Sequence, residues 1–354
     1  DSYTLVIKSK SMNSGSKHSL ILLPVRALVI SLFPVLCGCE PALISDSIFT
    51  AADRPAVKAA VLSEDNGQIR NLDILVFNDD LFQKLDCYQR VEEYDHDILN
   101  IGSQSGKKTI FVCANSIWNR DSWMDISCMS DLVGKKAELE NEDKMHPLMV
   151  GYARTDGNRP QASQVFLKRL SSEVILRSLS CDFRGKPYQG EQIRNVKAYM
   201  INVNGTCSIL ADGTVFPERI INRGCLQESD MMRFSDPSLI VGEIGGEIGE
   251  SITYPGLSFI CYPNNAESEG PGTPYTRLVI EGMIGDEKWY WPVNINRSGD
   301  SERQGIDVNS QYIYDIMITR KGSTDPDTPV ESDAVTINLE TVKWKEKEEY
   351  EVSF

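Results

Sequence analysis

Gln68-Ile-Arg-Asn-Leu-Asp-Ile-Leu-Val-Phe77 is the stretch on which the fold turns. It follows Asp65-Asn-Gly67, residues that favour tight turns, and runs into Asn78-Asp-Asp80, a second turn signal. Between them Leu72, Ile74 and Val76 fall on one face, and Asp73, Leu75 and Phe77 on the other. A short alternating run between two turns, rich in β-branched and aromatic residues, describes a strand.

The same grammar recurs on both sides. Residues 56–62 read as a first strand and 81–91 as a partner for the central one. Further strands are expected at 109–114, 147–151, 164–167, 173–179, 196–203, 258–262, 277–281, 288–293 and 312–319. Asn204-Gly205 after one of them is a hairpin signal. Residues 121–136 carry looser spacing, through Trp123, Ile126, Met129 and Val133, and predict one short helix. Residues 264–274, rich in Pro, Gly, Glu and Asn, predict an exposed loop. Gly242-Glu-Ile-Gly-Gly-Glu-Ile-Gly249 has glycines but neither a basic residue nor a βαβ context, so it reads as a flexible loop and not a phosphate cradle. Many short strands and one helix give a mainly β chain of sandwich domains. The length suits two, which we place at residues 56–188 and 189–354, divided where Gly185, Pro187 and Gly190 interrupt the pattern, with a division roughly twenty residues earlier as the alternative.

Ahead of the first strand lies Ala27-Leu-Val-Ile-Ser-Leu-Phe-Pro-Val-Leu36-Cys37-Gly38-Cys39, preceded by Lys17 and Arg26. A basic region, a short apolar run and small residues at its end describe an export signal, here residues 1–38. The run is shorter than the roughly 20 apolar residues a permanent span needs. Leu36 at −3, Gly38 at −1 and Cys39 at +1 have the form of a bacterial lipoprotein signal, with Cys39 as the acylated residue. The first methionine is Met12, so residues 1–11 are read as upstream of the start. Residues 39–55 then form a tether. Asp46-Ser47-Ile48 within it has the form of a short O-glycosylation acceptor centred on Ser47.

Composition narrows the function classes. With 36 basic and 51 acidic side chains the chain stands at −15, and repels nucleic acid and anionic lipid. Cys87, Cys113, Cys128, Cys181, Cys207, Cys225 and Cys261 are odd in number and show no C-x-x-C pair. They read mostly as small apolar residues, with one or two bridges left open. His96 and His146 have no partner at zinc-ligand spacing, so no metal and no cofactor is expected. No G-x-S-x-G, H-E-x-x-H or Cys/His signature appears, and we expect no enzyme. The paired acids of a glycosidase would leave no local motif. Trp289-Tyr-Trp291 reads as half-buried sandwich aromatics ahead of a sugar-stacking platform.

Residues 322–329, with two prolines, read as a loose, unstructured connector, and beyond it the chain ends in an alternating tail. Val335, Ile337 and Leu339 share one parity and Val342 and Trp344 the other, which predicts a bulge near residues 340–341. Tyr350, Val352 and Phe354 alternate again. The tail either closes the second sandwich or is donated to the sheet of another molecule.

Taken in order, these pieces resemble the FimA-type fimbrillin superfamily, the subunits of type V pili of Bacteroidales. The resemblance rests on the signal at Cys39, Ile69–Phe77 as quoted, Lys108-Thr-Ile-Phe-Val-Cys-Ala-Asn115 and Pro147-Leu-Met-Val-Gly151. It continues through Leu167-Lys-Arg-Leu-Ser-Ser-Glu-Val174, Tyr290-Trp-Pro-Val293, Asn309-Ser-Gln-Tyr-Ile-Tyr-Asp-Ile316 and Gly322-Ser-Thr-Asp-Pro-Asp327.

The resemblance implies two transthyretin-like β-sandwich domains and a structural, adhesive pilus subunit, exported as an outer-membrane lipoprotein. It implies proteolytic removal of the first strand after an Arg or Lys near residues 51–67. Arg54, which precedes Pro55, and Lys58 are the basic residues there, and Arg70 is a further candidate. It also implies that the groove so opened takes the tail 333–354 of another subunit, through Val335, Ile337, Leu339, Val342, Trp344, Tyr350, Val352 and Phe354. Partners would be like or unlike pilus subunits, the outer membrane through lipid before processing, and a host or bacterial surface ligand. The other readings are a monomeric surface glycan-binding lipoprotein and an uncleaved pilus anchor or accessory subunit.

Overall fold

A computed structural model describes residues 56–63, 69–94, 98–156, 162–210, 215–297, 304–330 and 334–343. The export signal, the tether with Cys39, Ser47 and Arg54, His96, and Trp344, Tyr350, Val352 and Phe354 lie outside the described residues.

The chain is mainly β. Its first run of strands is β1 (Ala56–Leu62), β2 (Leu72–Asn78), β3 (Leu85–Val91), β4 (Leu99–Gly102), β5 (Lys108–Ala114), β6 (Lys136–Glu138), β7 (Met149–Thr155), β8 (Ser163–Phe166) and β9 (Lys168–Arg169). They form a three-stranded sheet β4-β1-β8 facing a five-stranded sheet β3-β2-β5-β7-β9. Val57, Ala59 and Val61 of β1 meet Leu72, Ile74, Val76, Ile110 and Val112 between the sheets. The odd parity of β2 is buried too: Leu75 and Phe77 join Phe111 and Cys113 in a second core on the far face. Both faces of β2 are apolar because both are covered.

The cover over that far face includes Trp123, Ile126 and Leu132. The expected single helix at 121–136 is instead two 3₁₀ turns, Arg120–Trp123 and Met129–Gly134. Trp123, Ile126, Met129 and Leu132 recur every third residue, which fits three residues per turn better than 3.6. Asp131 also pins the backbone amides of Ser127 and Cys128 at 2.8 and 2.9 Å, which starts a fresh turn there.

The second run comprises β10 (Ser172–Cys181), β11 (Arg194–Ile201), β12 (Val203–Asn204), β13 (Thr206–Ser208), β14 (Ile220–Ile221), a one-turn helix α1 (Glu228–Met231), β15 (Val241–Glu243), β16 (Leu257–Cys261), β17 (Arg277–Ile284), β18 (Glu287–Asn294), β19 (Ser310–Ile318) and β20 (Val335–Lys343). Sheets β16-β10-β19-β20 and β15-β11-β17-β18 enclose Val174, Leu176, Ala198, Met200, Phe259, Ile280, Trp291, Tyr314 and Ile316. This core is continuous with the one under Leu75 and Phe77. A short β6–β13 ladder ties the two runs together.

Several expectations change. β10 hydrogen-bonds with β16 and β19, so the chain passes from the first pair of sheets to the second just before Ser172, earlier than residues 188–189. The glycines and proline taken for a junction there lie in the turns between β10 and β11. Asn204-Gly205 makes no hairpin: β12 pairs β14 while β13 pairs β6. Asn204 is buried, its amide nitrogen donating to the Pro263 carbonyl at 2.9 Å while its Oδ1 accepts from the Thr206 amide at 3.2 Å. The glycine-rich run 242–249 is no free loop. It begins within β15, buries Ile244 and Ile248, and bridges Ile193 through Ile248. In the 264–274 segment Asn264 is buried and bridges Ile306, while Glu267–Glu269 are exposed.

Candidate functional site

β1 is the middle strand of its sheet. It runs antiparallel to β4, pairing Val57 with Ile101 and Ala59 with Leu99, and parallel to β8, pairing Ala59 with Ser163 and Leu62 with Phe166. Val57, Ala59 and Val61 are buried, whereas Lys58 and Leu62 point outward and are exposed. Past the strand the Leu62 carbonyl accepts from Leu167 N at 2.9 Å, and the Val61 carbonyl from the Tyr94 hydroxyl at 2.9 Å. The strand is thus held along both edges, with three small apolar side chains in the core.

The basic residues near it differ in placement. Lys58 sits inside β1 with backbone pairing around it. Arg70 lies between β1 and β2, and its side chain is 61 % exposed, 3.5 Å from the Asp143 carboxylate. Its own amide donates to Asn115 Oδ1 at 2.8 Å.

The tail residues Val335, Ile337, Leu339 and Val342 lie on β20, which pairs antiparallel with β19 of the same chain and forms the edge of that sheet. Ile337 stands opposite Ile316 and Leu339 opposite Tyr314. The expected bulge is absent from the described residues, and the ladder runs unbroken from Val335 to Lys343. Val342 therefore pairs with Gln311 on the outer face, since an edge strand can carry an apolar residue outward more readily than break its ladder. On that face Arg177 donates to Asp315 Oδ2 at 2.6 Å and Glu340 Oε2 at 2.9 Å. Hydrogen bonding to Arg177 holds the Asp315 carboxyl down to about 2. The connector 322–329, expected to be loose, is fixed: Ser323 and Tyr290 exchange backbone hydrogen bonds, and Asp327 pairs with Arg277.

Trp289 and Trp291 form no exposed platform. Trp291 is fully buried with its indole N–H donating to the Arg320 carbonyl at 2.9 Å, and Trp289 lies half-buried with the Lys321 ammonium 5.1 Å from its ring. None of the seven described cysteines is in a disulfide, and among them only Cys225 is exposed.

Sequence reasoning missed β4, whose four residues bury only Ile101, too few for a periodic signal. It missed Tyr94 for the same reason, since a single hydroxyl bonded to a distant carbonyl leaves no local pattern.

No protein-family model and no curated protein matches the sequence. Solved structures do match in shape. A candidate cell adhesion protein of Parabacteroides distasonis superposes with a TM-score of 0.62 at 16 % identity, over 83 % of this chain and 98 % of that one. The fimbrilin FimA of Porphyromonas gingivalis gives 0.59 at 14 % identity, over 82 % and 97 %. The fold is that of the FimA-type fimbrillins. The tip fimbrial protein Mfa3 of the same organism, with a C-terminal truncation, gives 0.50 at 11 % identity over 82 % and 98 %. Each of these superpositions covers 82–83 % of this chain, and so reaches into both sheet pairs.

Proposed function

We propose that this protein is a structural and adhesive subunit of a surface pilus, exported as a lipoprotein on Cys39 and joined to its neighbours by strand exchange. The observation that carries the reading is β1 itself, a seven-residue strand seated between β4 and β8 and connected to the rest only through the segment that ends at Arg70. A cut after Arg70 releases β1 whole, with the tether and any lipid. A cut after Lys58 would leave Ala59 and Val61 in place and keep the groove half filled. Arg54 precedes Pro55, whose tertiary amide resists a trypsin-like protease. Arg70 is therefore the processing residue we favour.

The incoming strand is the tail of another subunit. In its own chain β20 buries Val335 but leaves Ile337 and Leu339 half-buried. The β1 positions they would take over are fully enclosed. Full burial of an aliphatic side chain contributes about 1.5–3 kcal/mol, so completing the burial of two favours transfer before ordering costs. The names of the fold neighbours, a fimbrilin and a tip fimbrial protein, agree with a place in a fimbrium at the outer membrane. Other pilus subunits are then the partners. The buried Trp291 leaves the glycan-binding alternative without its platform.

The test is N-terminal sequencing and intact mass of protein sheared from the cell surface. A start at Asn71 without lipid supports the reading. An acylated Cys39 on all of the surface protein would instead make it an anchor or a monomeric lipoprotein.

A further inference from the structure

We propose that the ion pair between the buried Arg277 and the part-exposed Asp327 is the fixed pivot of the C-terminal segment, so that the chain up to Asp327 stays with the body while β20 detaches from β19. The role of this pivot in assembly rests on the reading of β20 as the donated strand; its geometry does not.

The segment before the pivot is bound at several points. Arg320 O accepts the Trp291 indole N–H, and Ser323 and Tyr290 exchange hydrogen bonds of 2.8 and 2.9 Å. Gly322 sits so close that a Cβ there would lie 2.1 Å from the Tyr290 carbonyl oxygen. Asp325 Oδ1 accepts from the amides of Asp327 and Thr328 and folds the chain into a turn. Asp327 Oδ1 then accepts from Arg277 Nη1 at 2.6 Å and Asn202 Nδ2 at 2.7 Å. Both donors are buried: the Arg277 side chain is 3 % exposed, its other nitrogen Nη2 held by Glu269 Oε2 at 2.9 Å, and Asn202 is fully enclosed. Losing Asp327 would take from the buried Arg277 one of its two carboxylate partners and leave Glu269 as the other.

The segment after the pivot is bound differently. Ala334 and Val335 are buried, but Thr336, Asn338, Glu340 and Thr341 are exposed and Ile337 and Leu339 only half-covered. Among the described residues its one ion pair, Arg177–Glu340, joins side chains 41 % and 51 % exposed, and an exposed pair contributes little. As the edge strand, β20 is backed by β19 alone. The strength of attachment therefore steps down between Asp327 and Ala334, and that step is where opening begins.

Amide hydrogen exchange on the full chain, followed by mass spectrometry, tests this without any assembly step. Peptides covering residues 320–327 are expected to exchange at the rate of β17, and those covering β20 roughly tenfold faster or more. Equal rates across 320–343 would overturn the proposal. In Asp327→Ala, protection of 320–327 should fall to the level of β20 while β17 keeps its own; unchanged protection there would also overturn it. If that variant does not fold, the native comparison alone decides. Because exchange is read on the monomer, a tail that opens about Asp327 in a protein that never polymerises upholds the pivot and sinks the assembly reading.

Discussion

A Cβ placed on Gly151 would stand 2.2 Å from the carbonyl oxygen of Phe166 and 3.1 Å from a methyl of Val165. Gly151 belongs to β7 and Phe166 to β8, strands of facing sheets whose backbones touch at this one corner of the first sandwich. The obstacle is backbone, which cannot rotate away. Gly151→Ala is expected to lower stability by about 1–3 kcal/mol, or more where the corner cannot open. A fall in the urea midpoint at constant m-value checks it. An unchanged midpoint would mean that the corner yields freely.

Asp73 is the one charged side chain on the twice-covered strand β2, and it is fully buried. Arg90 Nη1 lies 3.0 Å from its Oδ2 and the Tyr88 hydroxyl 2.7 Å from its Oδ1. Arg90→Met leaves the carboxylate inside with its cation gone, and should cost about 3–5 kcal/mol. Adding Asp73→Leu should restore most of that loss, because an apolar pair of similar volume suits the site. Equilibrium unfolding of the two variants measures the recovery. No recovery would mean that Arg90 acts through its hydrogen bond to the Trp118 carbonyl and not through the pair.

Glu142 gives a pH signature. Burial pushes its carboxyl up from 4.5 to about 7, against the opposing hydrogen bonds from the Tyr262 hydroxyl and the Leu148 amide. The folded state thus holds the proton more tightly than the unfolded one. The stability this group contributes is full below about pH 4.5 and is lost as pH rises to about 7. The span is at most about 3 kcal/mol. Glu142→Gln should flatten the slope of stability between those two pH values. A variant that keeps the full slope would move the effect to another group.

Local chemistry made the strands legible and distant chemistry stayed hidden. Residues 56–62, 72–77 and 109–114 announced themselves because alternation and β-branching are written within a few positions. The double burial of β2 was visible as apolar residues on both parities. What covers each face was not, since Trp123 and Val57 reach it from opposite sides of the chain. The connector 322–329 looked loose because its prolines and glycine are local, whereas its anchor Arg277 lies 50 residues earlier. The extended course of 203–208 depends on two partner strands, β14 for 203–204 and, remote in sequence, β6 for 206–208. Of the candidate site, the three small apolar residues of β1 and the alternating tail were readable; the middle position of β1 in its sheet was not, because β4 carries a single buried side chain.

The tail offers the most direct test of assembly. Truncation after Ser332 removes β20 and uncovers one edge of β19, while the β4-β1-β8 sheet and its core are untouched. The truncated protein should still be processed at its N-terminus and still accept a strand, yet it should donate none. Alone it stays monomeric. Mixed with processed full-length subunits it should cap chains and shorten polymers in proportion to its share. Size-exclusion chromatography with electron microscopy reads both outcomes. Ile337→Asp with Leu339→Asp keeps the strand but places charges where the groove is apolar, and should block polymer growth to the same degree; because both side chains also pack on the second core, the unfolding midpoint of each variant is measured alongside to separate lost donation from a weakened sandwich. Polymers of normal length from either protein would show that the joint between subunits is made elsewhere.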